Sequence, residues 1–255
     1  MINKPLILVV NDDGINAQGI NFLAVLMREI GEVFVVAPSS NRSGTSHAMT
    51  LHEDIYVNTV SSSDNIFTCS GNPVDCVKLA LNKILPRKPD LCVSGINHGS
   101  NHSINSLYSG TLHGAMEATI KGVSAISFSH LSYETKINFN EYSSFIKNMC
   151  KENIDNKLLK DITLNINIPD VPFSLIKGAK ICRQGRGQWN EEFVATNKKD
   201  NMPSYRISGK FISQTHDKES DSWALDNNYI SIVPVSIYPD HTSHLQSFKY
   251  LENVI

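Results

Sequence analysis

No stretch of this chain approaches the roughly 20 consecutive apolar residues that a membrane-spanning helix needs, although 41% of its 255 residues are hydrophobic. Neither sign of charge dominates: 23 Lys and Arg stand against 25 Asp and Glu, a formal net charge of −2. The basic residues are scattered, so the sequence has no basic segment of the kind a polymeric nucleic acid requires. Neither a membrane nor a polymeric nucleic acid is expected as a partner. The five cysteines (Cys69, Cys76, Cys92, Cys150 and Cys182) are odd in number, have no CxxC spacing and lie mostly in apolar segments. That pattern reads as reduced core thiols. With no signal peptide ahead of the first apolar run, the expected location is the cytoplasm. There is no internal repeat and no low-complexity segment.

What is present is a repeated alternation of buried strand and amphipathic helix. Leu6 to Val10 is aliphatic without polar alternation, the pattern of a strand covered on both faces. Ile20, Leu23, Leu26, Met27 and Ile30 then fall at helical spacing, Gly31 ends the helix, and "VFVVAP" reads as a second strand. "NIFTCSG", "DLCVSGIN" and "VSAISFSH" are three more strands, separated by helices over "NPVDCVKLALNKIL" and "SGTLHGAMEATIKG". A helix is expected over 141–152, later strands over "ITLNINIPD", "AKICRQG" and "NYISIVPVSI", and a closing helix over "HLQSFKYLENVI". The fold class is α/β, a doubly wound and mostly parallel sheet in one domain over 1–255. Between about 185 and 223 the composition turns polar with short alternating pieces, as in a long hairpin arm projecting from the core. An isolated ribbon is only marginally stable in water, so the arm is expected to rest on another subunit; a mobile polar insertion is the alternative.

Polar residues gather at the carboxyl ends of these strands, where open α/β sheets bind ligands. The clusters are "NDDG", "SSNRSGTSH", "GINHGSN" and "YSGT". Adjacent side chains on a strand point to opposite faces, so Asp12 and Asp13 can converge only where Gly14 breaks the strand. Two converging carboxylates repel unless one is protonated or a cation lies between them. An oxygen-coordinated divalent ion, Mg²⁺ or Mn²⁺, resolves the conflict. Asp12 and Asp13 then read as metal ligands, with Ser43 and Asn97 as neutral oxygen donors. The alternatives are an ordinary Asp-Gly turn with Asp12 as a helix cap and, at Asn97, a common turn residue. Ser109, Gly110 and Thr111 stand just ahead of a helix, where backbone N–H groups and two hydroxyls suit a phosphate; an N-cap is the competing role. Asn41 and Arg42 are further candidates for phosphate oxygens. The histidines of these loops lack HxH spacing. Cation ligands beside a phosphate cradle, with no Gly-x-Ser-x-Gly elbow around Ser43, point to metal-assisted hydrolysis of a phosphate ester.

The ordered segments "LVVNDDGINAQGI", "VVAPSSNRSGTSH", "SGNPVDCV", "VSGINHGSN" and "YSGTLHGAMEA" resemble the SurE family of survival proteins. The likeness resumes through "LNINIPD", "IKGAKICRQGRGQW" and "NYISIVPV". It implies a metal-dependent phosphatase of nucleoside 5′-monophosphates, with 3′-monophosphates as a further substrate class. One divalent ion is then held by Asp12, Asp13, Ser43 and Asn97. Asn41, Ser109, Gly110 and Thr111 line the phosphate site, with Asp12, Asn41, Ser109 and Thr111 as the catalytic set. The same resemblance implies a Rossmann-like three-layer core whose hairpin and C-terminal segment are exchanged between subunits of a homodimer or homotetramer. One departure is Ser103, where many members carry glycine.

Two other readings compete. A non-catalytic nucleotide sensor is weakened because the first βα turn lacks GxGxxG and offers two negative charges where a pyrophosphate would sit. An aspartyl-phosphate enzyme spaces its two aspartates one residue apart, whereas here they are adjacent.

Overall fold

The five side chains of Leu6–Val10 (β1) are all buried, because this strand lies in the middle of a sheet covered on both faces. The computed structural model describes residues 4–134, 136–156, 161–199, 202–215, 217–239 and 245–253. After β1 come α1 (Gln18–Arg28), β2 (Glu32–Pro38), β3 (Val57–Ser61), β4 (Ile66–Cys69), α2 (Pro73–Leu79), β5 (Leu91–His98) and α3 (Gly110–Ile120). The chain continues with β6 (Ala125–His130), α4 (Ser143–Asn156), β7 (Ile162–Ile168), β8 (Ala179–Ile181), β9 (Gly187–Lys199), β10 (Met202–Ser213), α5 (Asp221–Asp226), β11 (Ile230–Ser236) and α6 (Leu245–Phe248).

The main sheet runs β3-β4-β2-β1-β5-β6-β7-β11-β8. The six strands from β4 to β7 are parallel. β3 and β11 pair antiparallel to their inner neighbours, and β8 runs parallel to β11. Alternate side chains of β1 build two separate cores. Ile7 and Val9 pack with Leu23 and Met27 of α1 and Ile146 and Cys150 of α4. Leu8 and Val10 pack with Val77 of α2 and Ala115 and Ala118 of α3. Burying each such aliphatic side chain stabilises the fold by about 1.5–3 kcal/mol. All five cysteines are free and buried.

The strand order departs from β1 in both directions: β2 and β4 lie to one side, β5, β6 and β7 to the other. The carboxyl ends of β1 and β5 therefore flank the point of reversal, where the two crossovers leave a crevice.

Some expected elements differ in extent. The helix over "NPVDCVKLALNKIL" is regular only to Leu79, and Ala80–Ile84 forms a wider π turn. Leu85, which precedes Pro86, is extended at ψ 138, as a following proline demands, so the helix must end there. Its start is firm: Asn72 and Asp75 form a capping box, with proline at the first helical position. α4 begins at Ser143, after a short 3₁₀ turn over Phe139–Tyr142. β3 was not anticipated, and its side chains are almost all exposed. The closing helix is reduced to α6 and a 3₁₀ turn over Lys249–Asn253; His244, Val254 and Ile255 lie outside the described residues, as do Asp200 and Asn201 of the arm. β9 and β10 pair with one another, from Gly187↔Ser213 to Met202↔Lys199, as a two-stranded hairpin.

Candidate active site

At the end of β1 the Asn11 side chain turns back onto the chain. Its Nδ2 donates to the Gly14 carbonyl (2.9 Å) and its Oδ1 accepts from the Gly14 N–H (3.2 Å). Gly14 has φ +95°, a conformation open to glycine and strained for other residues. The closed turn breaks the strand alternation between two carboxylates. Asp12 is buried and its carboxylate accepts from the Thr111 hydroxyl. Asp13, half-buried, accepts from the His98 backbone N–H at 3.4 Å.

Three other segments meet this turn. The loop after β2 is fastened by the Arg42 N–H, which donates to the Asp12 carbonyl (2.7 Å). At the end of β5, Asn97 donates from Nδ2 to the Gly99 carbonyl (2.8 Å), and its Oδ1 lies 3.3 Å from Thr111 Oγ1. The start of α3 is pressed against Asp12: a Cβ added at Gly110 would lie 2.8 Å from both Cβ and Oδ2 of Asp12. A side chain there would require Asp12 or the start of α3 to shift.

Asp12, Ser43, Asn97 and Ser109 line one cavity of about 250 Å³, whose walls include Tyr108 and Trp189. Asp13 stands beside it, against the His98 amide. Thr111 is fully buried behind Asp12. Its hydroxyl is committed to the Asp12 carboxylate, and Ser109 Oγ accepts from the Leu112 N–H (2.9 Å) as the N-cap of α3. The Thr111 hydroxyl is thus turned to the carboxylate, whereas Ser109 only accepts at Oγ, keeps its O–H as a donor and lines the cavity. Asn41 is exposed, is not part of the cavity wall, and accepts the Ser43 N–H with its own Oδ1 (2.8 Å). Arg42 sends its guanidinium to the Ser70 carbonyl (2.8 Å).

The sequence reading missed Asn11 and three further residues of the cavity lining, Asn101, Asn105 and Trp189. An Asn three residues ahead of a turn glycine was a local signal for Asn11. Trp189 had none, since only the tertiary fold carries it to a cavity built from residues far earlier in the chain.

Electrostatics favour a cation here. Burial, and then the adjacent Asp13 charge, push the Asp12 carboxyl up to about 7, against the opposing pull of its Thr111 hydrogen bonds. Burial also raises Asp13, with the His98 amide acting the other way. Among the described residues no lysine or arginine lines the cavity, and no three His, Cys, Asp or Glu side chains group as a metal cluster. Two carboxylates with neutral Ser and Asn oxygens make an all-oxygen donor set. It fits Mg²⁺ or Mn²⁺ and does not resemble a zinc site.

A family model described as Survival protein SurE matches residues 7–191. The chain belongs to the SurE family. It is 46% identical over 246 residues, 95% of each chain, to a protein of Flavobacterium psychrophilum named 5′-nucleotidase SurE. A protein of the same name from Cytophaga hutchinsonii is 44% identical, with 95% of this chain and 94% of that one covered. Among solved structures, the SurE protein from Aquifex aeolicus superposes with a TM-score of 0.85 at 36% identity, covering 98% of this chain and all of the other. The SurE relationship thus spans the sheet, the carboxylate turn and the arm.

Proposed function

We propose that this cavity is where the chain, a 5′-nucleotidase of the SurE family, hydrolyses nucleoside 5′-monophosphates, and 3′-monophosphates as a second class, with a divalent metal. The observation that carries the reading is the pair Asp12 and Asp13 at a cavity whose described lining holds no lysine or arginine. Without a cation, a phosphate dianion would meet the two carboxyls with no lysine or arginine to offset them.

Asp12, Asp13, Ser43 and Asn97 would hold one Mg²⁺ or Mn²⁺. Bound there, the ion would offset the phosphate charge and supply a more acidic water for attack on phosphorus. The chain's own part is to orient. Thr111 fixes the Asp12 carboxylate, the Gly99 carbonyl fixes the Asn97 amide, and the amino end of α3 sets its positive dipole against the same corner. Ser109 and Gly110 supply the N-terminal frame for phosphate oxygens, and Asn41 shapes the Ser43 loop. Asn41 and Thr111 thereby serve the reaction chiefly through placement.

We also propose a single domain over 1–255 whose 185–223 arm and C-terminal segment join subunits into a dimer or tetramer in the cytoplasm. Exposed Phe193, Val194, Tyr205 and Ile207 on the arm support this, as does a separate, more apolar cavity of about 670 Å³ lined by Leu107, Leu112, Met116 and Val233.

The test is phosphate release from nucleoside 5′- and 3′-monophosphates in EDTA and then with Mg²⁺ or Mn²⁺, alongside direct Mn²⁺ titration, for wild type and Asp12→Asn. Metal-dependent release and Mn²⁺ binding, both lost in the variant, support the reading. Nucleotide binding without release under any metal would replace it with a non-catalytic sensor.

A further inference from the structure

The loop that follows Asn97 is tied to the root of the arm through one buried carboxylate. Asp221, at the start of α5, is 1% exposed. Its Oδ2 accepts from the Ser103 N–H (2.8 Å) and its Oδ1 from the Gly185 N–H (2.8 Å) and the Ser222 N–H (2.7 Å). Residues more than 80 apart in sequence thus share one acceptor. Ser103 doubles the connection: its hydroxyl donates to the Gly185 carbonyl (3.0 Å), and its carbonyl accepts from Gln184 Nε2 (3.0 Å). Ser103 is fully buried at φ +51°. Glycine would adopt that conformation without strain but lacks the hydroxyl that reaches Gly185.

Both ends of this brace lead to the cavity wall. From Ser103 the 3₁₀ turn carries Asn105 and Tyr108 into the lining; from Gly185 the chain enters β9 and delivers Trp189. The two ends meet where Trp189 Nε1 donates to Asn105 Oδ1 at 2.6 Å.

We propose that Asp221 is a positioning residue, and Ser103 its auxiliary: together they hold the arm root against the cavity loop and so fix the Trp189–Asn105 wall. This rests on reading the cavity as the phosphate-ester site. The wall then receives the part of the substrate beyond the phosphate, while the Asp12 corner stands on separate supports.

A carboxylate is needed because every contact is a donor. Asn at 221 turns an NH₂ toward a backbone N–H, on whichever side it is placed. The experiment compares wild type, Asp221→Asn and Ser103→Ala. It measures steady-state kinetics on a nucleoside 5′-monophosphate, inhibition by inorganic phosphate, and Trp189 emission in a Trp223→Phe background, which leaves Trp189 as the sole tryptophan. Asp221→Asn is expected to raise KM about 10-fold, leave the phosphate inhibition constant unchanged and shift Trp189 emission. Ser103→Ala keeps its backbone bond to Asp221 and should show a smaller change in the same sense. Unchanged KM and emission in a folded Asp221→Asn would overturn the proposal. So would parallel losses of nucleotide and phosphate affinity, which would mark general loosening. If Asp221→Asn does not fold, Ser103→Ala decides by the same readings. If wild type releases no phosphate, the functional reading fails, and the brace is still judged by Trp189 emission.

Discussion

The Thr111 hydroxyl donates to the Asp12 carboxylate and lies 3.3 Å from the Asn97 side-chain oxygen. One buried side chain thus sets the position of two of the four proposed metal donors, one from the end of β1 and one from the end of β5. Thr111→Val keeps the shape and removes the hydroxyl. Metal affinity or kcat/KM should fall by about 10- to 100-fold, as when the partner of a metal ligand is removed, with Thr111→Ser restoring most of it. A Mn²⁺ titration checks this directly, and an unaltered affinity in Thr111→Val would remove Thr111 from the site's support.

Gly110 makes a different demand on the same carboxylate. Its missing Cβ is the space that Asp12 occupies, at 2.8 Å, so Gly110→Ala must push Asp12 out of place or shift the start of α3. The helix itself favours alanine over glycine, by about 1 kcal/mol in an interior position. A melting temperature close to wild type with kcat down at least about 10-fold is therefore expected. Retained activity would show that Asp12 can give way freely.

Metal binding and protons compete at Asp12. In the metal-free chain its carboxyl is held up to about 7 from 3.8, so the folded state keeps a proton that the unfolded chain releases. The contribution to stability is full below pH 3.8 and is lost as pH rises through about 7. A divalent cation must displace that proton, so its affinity should climb about tenfold per pH unit and level off above pH 7. Asp12→Asn, which loses the Mn²⁺ site, should in the absence of metal melt higher than wild type at about pH 8. Thermal denaturation in EDTA across pH, beside Mn²⁺ titrations, tests both; a flat wild-type profile would contradict the buried acid.

How much of this was legible in the sequence depended on how local each signal was. The uninterrupted Leu6–Val10 run told of a strand covered on both faces, and the aspartates before Gly14 told of a turn at its carboxyl end. Asn97 was readable for the same reason, as a polar residue closing a buried strand. At Thr111 the local pattern, a small polar residue at a helix start, suits a phosphate contact and a structural hydrogen bond equally. Only the approach of Asp12, 99 residues away, decides between them. Trp189 and Asp221 were invisible because their roles exist only across the arm root. β3 escaped because an exposed edge strand such as "VNTVS" has no buried face to impose alternation.

The Ser43 loop has its own anchor. Glu117, buried on α3, receives Lys78 Nζ at 2.7 Å and His47 Nε2 at 3.1 Å, and His47 lies four residues beyond Ser43. Burial raises the Glu117 carboxyl, but the His47 and Lys78 hydrogen bonds and charges outweigh it and hold it below its ordinary value. Its contribution to stability is therefore present above pH 4.5 and is lost as pH falls through the lower folded value. Glu117→Gln should cost about 1–3 kcal/mol near neutral pH, less than a fully enclosed pair, because Lys78 and His47 are each about a third exposed and can turn to water. For a chain of this size that is about 2–4 °C in melting temperature per kcal/mol, and the gap from wild type should close in acid. Looser anchoring should also weaken Mn²⁺ binding a few-fold through Ser43. A variant that melts lower yet binds Mn²⁺ as wild type does would confine Glu117 to the core and free the loop from its control.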